Sequence, residues 1–235
     1  LSLLHNGLTF LFGIYISAAF LGIRMNRRNV LILLAFSSAV GVVFASSFVL
    51  FGAKVTQQIY PLIIHIPLIL FLTLFYHYKA ILAVLSVLTA YLCCQISNWI
   101  GLLALNLTHL DWVYFSTRIV TTVLVFILLL RFVSDAVAQL IQKPTKTLLI
   151  FGMLPFVYYL FDYVAKVYTS LLYSGSTVVV EFLAFALCVF YILFLVVYFK
   201  QYEEKQETEQ RSRILEMEQA QAEKEIEAFQ QTQHA

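Results

Sequence analysis

Charged residues are scarce in this sequence. Asp, Glu, Lys and Arg together make up 12% of its 235 residues, whereas hydrophobic residues make up 61%. Soluble domains carry about 25% charged residues, so this composition excludes an ordinary soluble domain and predicts a membrane protein. The net charge is only +2, and the basic residues are scattered at predicted helix ends. The chain therefore lacks the basic patch of a nucleic-acid-binding protein.

Proline, glycine and cysteine are also few, with 4, 8 and 3 residues respectively. Neither Pro nor Gly occurs after Thr177, so a single helix is predicted from about Val178 to Gln233. The cysteines Cys93, Cys94 and Cys188 lie in apolar runs and show no metal-ligand or disulfide spacing. We also find no Gly-rich phosphate loop and no nucleophile with suitable partners. The sequence thus predicts no catalytic residue, no metal site and no cofactor in this chain.

Seven apolar segments are separated by polar residues. Their approximate bounds are Leu3–Ile23, Val30–Phe51, Ile59–Tyr76, Ala80–Leu105, Val113–Val133, Leu148–Tyr168 and Val178–Phe199. The predicted fold is an all-α, polytopic membrane protein with seven transmembrane helices, the last of which continues into a cytoplasmic coiled-coil helix. The predicted domains are a transmembrane sensor domain over residues 1–199 and a signalling helix over residues 200–235.

The distribution of Lys and Arg predicts the orientation in a cell membrane. Positive residues concentrate in cytoplasmic connections. With the N-terminus outside, the inner connections hold Arg24, Arg27, Arg28, Lys79, Arg131, Lys143 and Lys146, and the outer side holds Lys54, Arg118 and Lys166. The opposite orientation would invert this bias, so the C-terminal helix is predicted to be cytoplasmic.

Polar residues fall at one depth in the outer half of the predicted bundle. Ionised side chains inside a membrane are costly and usually face a cavity or a partner. The candidate ligand-binding residues are His65, Gln95, Asn98, Arg118, Asp162, Lys166 and Glu181. Simpler roles remain open: Asp162 and Lys166 can neutralise each other at i, i+4, Arg118 and Glu181 can reach the interface, and the amides can join helices.

The C-terminal segment has a seven-residue repeat typical of a weak parallel coiled coil. It carries nine of the thirteen acidic residues. The candidate dimer-interface residues are Thr208, Leu215, Ala222, Ile226 and Phe229. Half of the core positions are polar or small, so a solvated single helix is the alternative.

The layout and two tail segments resemble the sensor region of GHKL-type bacterial histidine kinases, the group that includes the accessory-gene-regulator quorum-sensing kinases. The segments are Tyr-Phe-Lys-Gln-Tyr-Glu-Glu-Lys at 198–205 and Lys-Glu-Ile-Glu-Ala at 224–228. The resemblance implies a phosphoacceptor box and an ATP- and Mg-binding kinase domain after this helix. His234 lacks the flanking Arg and Asp of such a box, so we expect this chain to end before it and the parent protein to be the enzyme.

The functional hypothesis is a homodimeric membrane sensor that binds an extracellular or membrane-borne small molecule or peptide. It would pass a helix movement to the kinase core and, through that core, to a response regulator. Two alternatives remain: a transporter or transporter subunit that uses the polar cluster for translocation, and a membrane anchor or scaffold whose tail recruits a partner. Interrupted helices and internal repeats are typical of transporters, and a long charged helix favours the sensor or the scaffold.

Overall fold

The chain folds as a set of helices. The computed structural model describes the backbone of residues 2–143, 145–168 and 177–233, and the side chains of residues 4–52, 55–56, 58–140, 142–143, 147–163 and 181–222. Within these ranges all regular structure is helical, which confirms the predicted all-α class. The helices are α1 (Ser2–Phe20), α2 (Arg27–Gln58), α3 (Ile66–Leu74), α4 (Ala80–Thr108), α5 (Asp111–Leu128), α6 (Ser134–Ile141), α7 (Thr145–Tyr168) and α8 (Thr177–Gln233).

Four stretches of the described chain are long and apolar enough to cross a membrane. They are Arg27–Gly52, Ala80–Thr108, Asp111–Leu140 and Glu181–Ala222. Three further apolar helices have 10–17 residues: Leu4–Phe20, Pro61–Leu74 and Thr147–Tyr163. The 14 residues of Pro61–Leu74 span only about 21 Å at 1.5 Å per residue, less than a bilayer core of about 30 Å. The four long apolar helices are compatible with a membrane protein, and the count of seven spans remains a prediction.

Helix α4 lies at the centre of the bundle. In its most apolar window 61% of the residues are buried, against 17% for the span that begins at Arg27. Helices α1, α3, α5 and α7 all pack against α4. A helix that is apolar all round is buried in the protein or in lipid, and α4 has protein on most of its sides. The buried polar residues of α4, which are Ser86, Thr89, Gln95 and Ser97, therefore face other helices rather than lipid.

Hydrogen bonds attach α1 to α4 and to Tyr78, which lies just before α4. The buried Ser86 hydroxyl donates to the Ser17 carbonyl oxygen at 2.6 Å. Tyr78 donates to the Leu21 carbonyl oxygen at 2.8 Å. Partial burial raises the pKa of the Tyr78 phenol, so this group stays protonated as a donor at neutral pH. Both acceptors are backbone carbonyls near the C-terminal end of α1, where the last carbonyls of a helix lack intrahelical donors.

Helix α2 is broken near its end at Gly52. This residue has φ 76° and ψ 171°, a backbone conformation that residues other than glycine rarely adopt. Before the break α2 exposes a broad apolar surface, including Val43, Val49 and Leu50. Such a surface suits lipid contact, since lipid chains are as apolar as these side chains.

Two π-helical turns interrupt the helical regularity of the bundle. One covers Pro61–His65 and leads into α3, and the other covers Leu129–Val133 between α5 and α6. Pro61 and Pro67 stand in the first turns of the two consecutive pieces, where a proline removes a hydrogen bond that is absent anyway. A π-turn rotates the following side chains relative to an ideal helix, and such turns are frequent at functional sites. His65 is the last residue of the first turn.

Helix α8 runs from Thr177 to Gln233, as the absence of Pro and Gly predicted. By internal contacts the chain forms two units, one up to Leu193 and one from Phe194 onward. In the first unit α8 packs on α4 through Trp99, whose ring stacks on Phe185 with 4.4 Å between centroids.

In the second unit, from Phe194 onward, α8 is supported by its own side chains. Thr208 donates to the Glu204 carbonyl oxygen at 2.8 Å, and Lys205 Nζ lies 3.9 Å from Glu209 Oε1. Such i, i+4 pairs stabilise a solvated helix by about 0.2–0.5 kcal/mol each. A second strand in a coiled coil remains a prediction.

Candidate functional site

A cavity of about 190 Å³ lies within the first unit, between α1, α4, α5 and the helical segment around His65. Tyr91, Gln95 and Asn98 of α4 line it together. Their spacing of four and three residues places these side chains on one face of the helix. The cavity is therefore a consequence of a polar stripe on the most buried helix.

His65 forms the wall of the cavity opposite α4. Its Nδ1 atom is hydrogen-bonded to the Tyr159 hydroxyl at 2.7 Å. Three tyrosine rings meet the imidazole edge-on, with centroid distances of 5.1 Å for Tyr60, 5.6 Å for Tyr91 and 5.2 Å for Tyr159. These contacts fix the orientation of the ring, since edge-to-face packing is directional.

Gln95 reaches the cavity from a buried position, with 5% of its surface exposed. Within the described part of the chain, no donor lies within hydrogen-bond distance of its Oε1 atom. An unsatisfied buried carbonyl costs about 1–3 kcal/mol. Such a cost is tolerated where a ligand or an ordered water supplies the missing donor.

Arg118 enters the cavity from α5 across a glycine of α4. A Cβ atom on Gly101 would overlap the Cγ atom of Arg118 and lie 2.7 Å from its Cδ atom. The guanidinium donates from Nη1 to the Tyr114 hydroxyl and lies 5.2 Å from the centre of the same ring. Its Nε–H group is buried and has no acceptor among the described residues. The Nε–H group of Arg118 is therefore a buried donor without a partner among the described residues.

Asp162 and Glu181 lie just behind the cavity wall. Tyr91 donates a hydrogen bond to Asp162 Oδ2, and Asn98 Nδ2 donates to Glu181 Oε2 at 3.2 Å. Both carboxylates are buried, with exposures of 4% and 7%. Tyr91 and Asn98 thus link the two carboxylates to the cavity. A ligand that moves either of these side chains alters the hydrogen bond to its carboxylate.

Six of the seven residues predicted to form the site thus line the cavity or are bonded to a residue that lines it. His65, Gln95, Asn98 and Arg118 line the cavity, while Asp162 and Glu181 each accept a hydrogen bond from a residue in its wall. The side chain of Lys166 lies outside the described residues, as does the proposed Asp162–Lys166 pair.

Sequence reasoning missed the tyrosines and the glycine. Tyr91 precedes Gln95 by four residues and Tyr159 precedes Asp162 by three, so both share a helix face with a residue that was identified. Screening those faces for hydroxyl groups would have found them. The role of Gly101 depends on a neighbouring helix, and no pattern in the sequence reveals it.

The candidate dimer-interface residues occupy exposed positions on the charged part of α8. Thr208, Leu215 and Ala222 are all exposed in the single chain. The side chains of Ile226 and Phe229 lie outside the described residues. The exposed apolar side chains also include Ile214 and Met217, so apolar surface is available to a partner helix.

Metal-type ligand clusters are not found among the described residues, where no three His, Cys, Asp or Glu side chains converge. The cavity lining instead offers hydrogen-bond donors, acceptors and one cation. No protein-family model, curated protein or solved structure matches the chain. The cavity and the long helix α8 are therefore the two features of the molecule that point to a function.

Proposed function

We propose that this chain is the membrane sensor region of a homodimeric bacterial histidine kinase. A ligand binds the cavity from the outer side of the membrane and changes the position of α8. The cytoplasmic part of α8 passes that change to a kinase core beyond this chain, which binds ATP and Mg²⁺ and phosphorylates a response regulator.

The hydrogen bond from Asn98 to Glu181 carries this proposal. Asn98 lines the cavity, and Glu181 stands in the second turn of α8. A ligand that competes for the Asn98 amide removes a donor from a buried carboxylate. Hydrogen bonds to charged groups contribute about 1.5–3 kcal/mol, so two positions of α8 can differ by enough to shift a two-state equilibrium about tenfold or more.

The character of α8 supports a role in signal transmission. The helix is apolar at Glu181–Phe199 and highly charged beyond Lys200, without Pro or Gly between the two parts. A helix of this kind can carry a rotation or a tilt, whereas a flexible linker cannot. The resemblance of segments 198–205 and 224–228 to sensor kinases agrees with this role.

The test inserts residues into α8 of the complete kinase and measures autophosphorylation in nanodiscs. One residue inserted after Gln206 rotates everything beyond it by about 100°, while seven residues restore the phase to within about 20°. We expect the single insertion to lock or invert the output and the seven-residue insertion to preserve it. Equal output from both insertions and the parent protein would reject transmission through α8.

Single cysteines test the dimer independently. Cysteines at Leu215 and Ala222 should form disulfides between subunits faster than a cysteine at Glu218, because the first two lie at predicted core positions of the coiled coil. Equal rates at the three positions would show that the tail is a solvated tether.

One observation favours a transporter as the second candidate. The π-helical turn at Pro61–His65 lies at the cavity, and interrupted helices are typical of transporter binding sites. Proteoliposomes that contain only this chain would then accumulate the cavity ligand, with loss of uptake in His65→Ala. Binding without uptake favours the sensor.

A further inference from the structure

The chemistry of the cavity allows its ligand class to be inferred, and this step rests on the proposed function of the cavity as the sensory site. Two buried polar atoms in its lining residues lack protein partners: Gln95 Oε1, which needs a donor, and Arg118 Nε, which needs an acceptor. The two unmet requirements are opposite in kind. A single ligand with both an acceptor and a donor can satisfy them together.

The charge of the lining selects an anionic acceptor. Among the described residues that line the cavity, Arg118 is the only one with a permanent charge. Its Nε–H belongs to the edge of the guanidinium that commonly binds a carboxylate through two parallel hydrogen bonds. The nearby Asp162 and Glu181 accept hydrogen bonds from Tyr91 and Asn98 behind the wall. A carboxylate from outside the chain therefore supplies a counter-charge to this partly buried cation.

The size of the cavity limits the ligand. Drug-sized ligands occupy pockets of about 300–1,000 Å³. The volume here is about 190 Å³, equivalent to roughly six water molecules at about 30 Å³ each. The cavity therefore holds a group of amino-acid size. A whole folded peptide does not fit, although one terminal residue does.

Gly101 maintains this arrangement. Because it has no side chain, the aliphatic stem of Arg118 crosses α4 in direct contact with the backbone, and the guanidinium reaches the cavity. Tyr114 holds the Nη1 end, which leaves the Nε edge for a ligand. The arginine is thus positioned before a ligand arrives, which reduces the conformational entropy lost on binding.

We propose that the cavity binds a small carboxylate that carries a hydrogen-bond donor next to it. The carboxylate accepts from Arg118 Nε, and the neighbouring N–H or O–H group donates to Gln95 Oε1. Two sources share this chemistry: a free small acid, and the C-terminal residue of a peptide.

The probe is N-acetylglycine, which has a carboxylate and an adjacent amide N–H, with the uncharged N-acetylglycinamide as its matched control. Binding is measured by the thermal shift and by calorimetry of the purified chain in nanodiscs. We expect N-acetylglycine to raise the melting temperature and to bind at least about tenfold more tightly than the amide, since a charge-assisted hydrogen bond contributes about one decade of affinity.

Three variants locate the site. Arg118→Lys keeps a cation on a long stem but removes the Nε edge, and it should weaken binding about tenfold or more. Gln95→Leu should lower affinity for the acid and also raise the melting temperature of the empty protein, because it removes an unsatisfied carbonyl. Arg131→Gln, an exposed arginine outside the cavity, should bind like the parent chain.

Two peptides distinguish the sources. Acetyl-Ala-Ala-Gly is compared with N-acetylglycine, and each is compared with its amidated form. Tighter binding of the peptide acid assigns the site to a peptide C-terminus, and weaker binding assigns it to a free small acid. Either result supports the carboxylate class.

Three results would overturn the proposal. They are equal binding of acids and amides, no binding of either acid at a concentration on the order of 50 mM, and unchanged binding in Arg118→Lys. These failures are separable from failure of the sensor function. If the acids do not bind but insertions after Gln206 still alter kinase output, the ligand class is wrong and the sensor remains. If the acids bind as expected while output ignores the insertions, the site remains and the sensor is wrong.

Discussion

Asn98 of α4 donates a hydrogen bond to Glu181 of α8, with 3.2 Å between Nδ2 and Oε2. The bond joins a residue of the cavity wall to the helix that continues to Gln233. One amide, one carboxylate and one hydrogen bond thus link the cavity wall to α8. The consequences can be measured without knowledge of the natural ligand.

The first prediction concerns this bond. Asn98→Leu and Glu181→Leu should each lower the free energy of unfolding by about 1–3 kcal/mol, because each removes one partner of a buried pair. The double variant should differ from the sum by at least about 0.5 kcal/mol, as contacting residues do. The measurement is equilibrium unfolding in mixed micelles. Asn106 is an exposed position on the same helix and serves as the control. The effects of Asn106→Leu and Glu181→Leu on the free energy of unfolding should add. If they do not add, the deviation in the Asn98–Glu181 pair does not report the hydrogen bond.

The second prediction concerns the glycine beneath Arg118. Gly101→Ala should destabilise the protein by about 1–3 kcal/mol, since its new Cβ overlaps the Arg118 stem. Adding Arg118→Ala should recover most of that loss. Gly41→Ala is the matched control, because no atom lies within 4 Å of the position of its Cβ. If both alanine variants unfold at the same temperature, the close approach of Gly101 and Arg118 does not occur.

The third prediction compares two tyrosine hydroxyls. Tyr91 donates to the Asp162 carboxylate, and Tyr15 donates to the neutral Val30 carbonyl at 2.9 Å. Tyr91→Phe should cost about 1.5–3 kcal/mol and Tyr15→Phe about 0.5–1.5 kcal/mol, because hydrogen bonds to charged groups are stronger. Asp162→Asn should reduce the cost of Tyr91→Phe. The free energies of unfolding of the three variants decide the comparison, and equal costs for both tyrosines would argue against a charge-assisted hydrogen bond from Tyr91.

The fourth prediction concerns topology. In a variant whose three cysteines are replaced by alanine, new cysteines at Gln57, Asn106 and Ser174 should react with a membrane-impermeant maleimide in intact cells. A cysteine at Gln142 should react only after lysis. This pattern follows from seven spans with the N-terminus outside, the arrangement that places most Lys and Arg in the cytoplasm. Protection of Asn106 or Ser174 would instead favour a smaller number of spans, with some short apolar helices lying within the bundle.

The sequence predicted the helical class, the long terminal helix and most of the polar cluster. Polar residues such as His65, Asn98 and Arg118 stand out in apolar segments because the membrane makes them costly, so their positions carry information about neighbours. The number of spans was harder to predict. A short helix such as Pro61–Leu74 has the composition of a span but less than its length.

Other parts of the site depend on tertiary contacts that composition does not encode. The tyrosines Tyr91 and Tyr159 resemble ordinary apolar residues in a hydrophobic run, although their hydroxyls bond to Asp162 and His65. Gly101 contributes only by the space it leaves. The π-turn that ends at His65 depends on backbone hydrogen bonding around Pro61, for which spacing gives no reliable signal.

The contact between Gly101 and the stem of Arg118 has a consequence for evolution. Because any Cβ at position 101 occupies the space of the arginine stem, the two positions are not free to change independently. A lineage that loses the arginine can accept Ala or Ser at position 101, whereas one that keeps it must keep glycine. Related chains should therefore fall into two groups by this pair of positions. Only the group with both Gly and Arg should retain the same ligand preference.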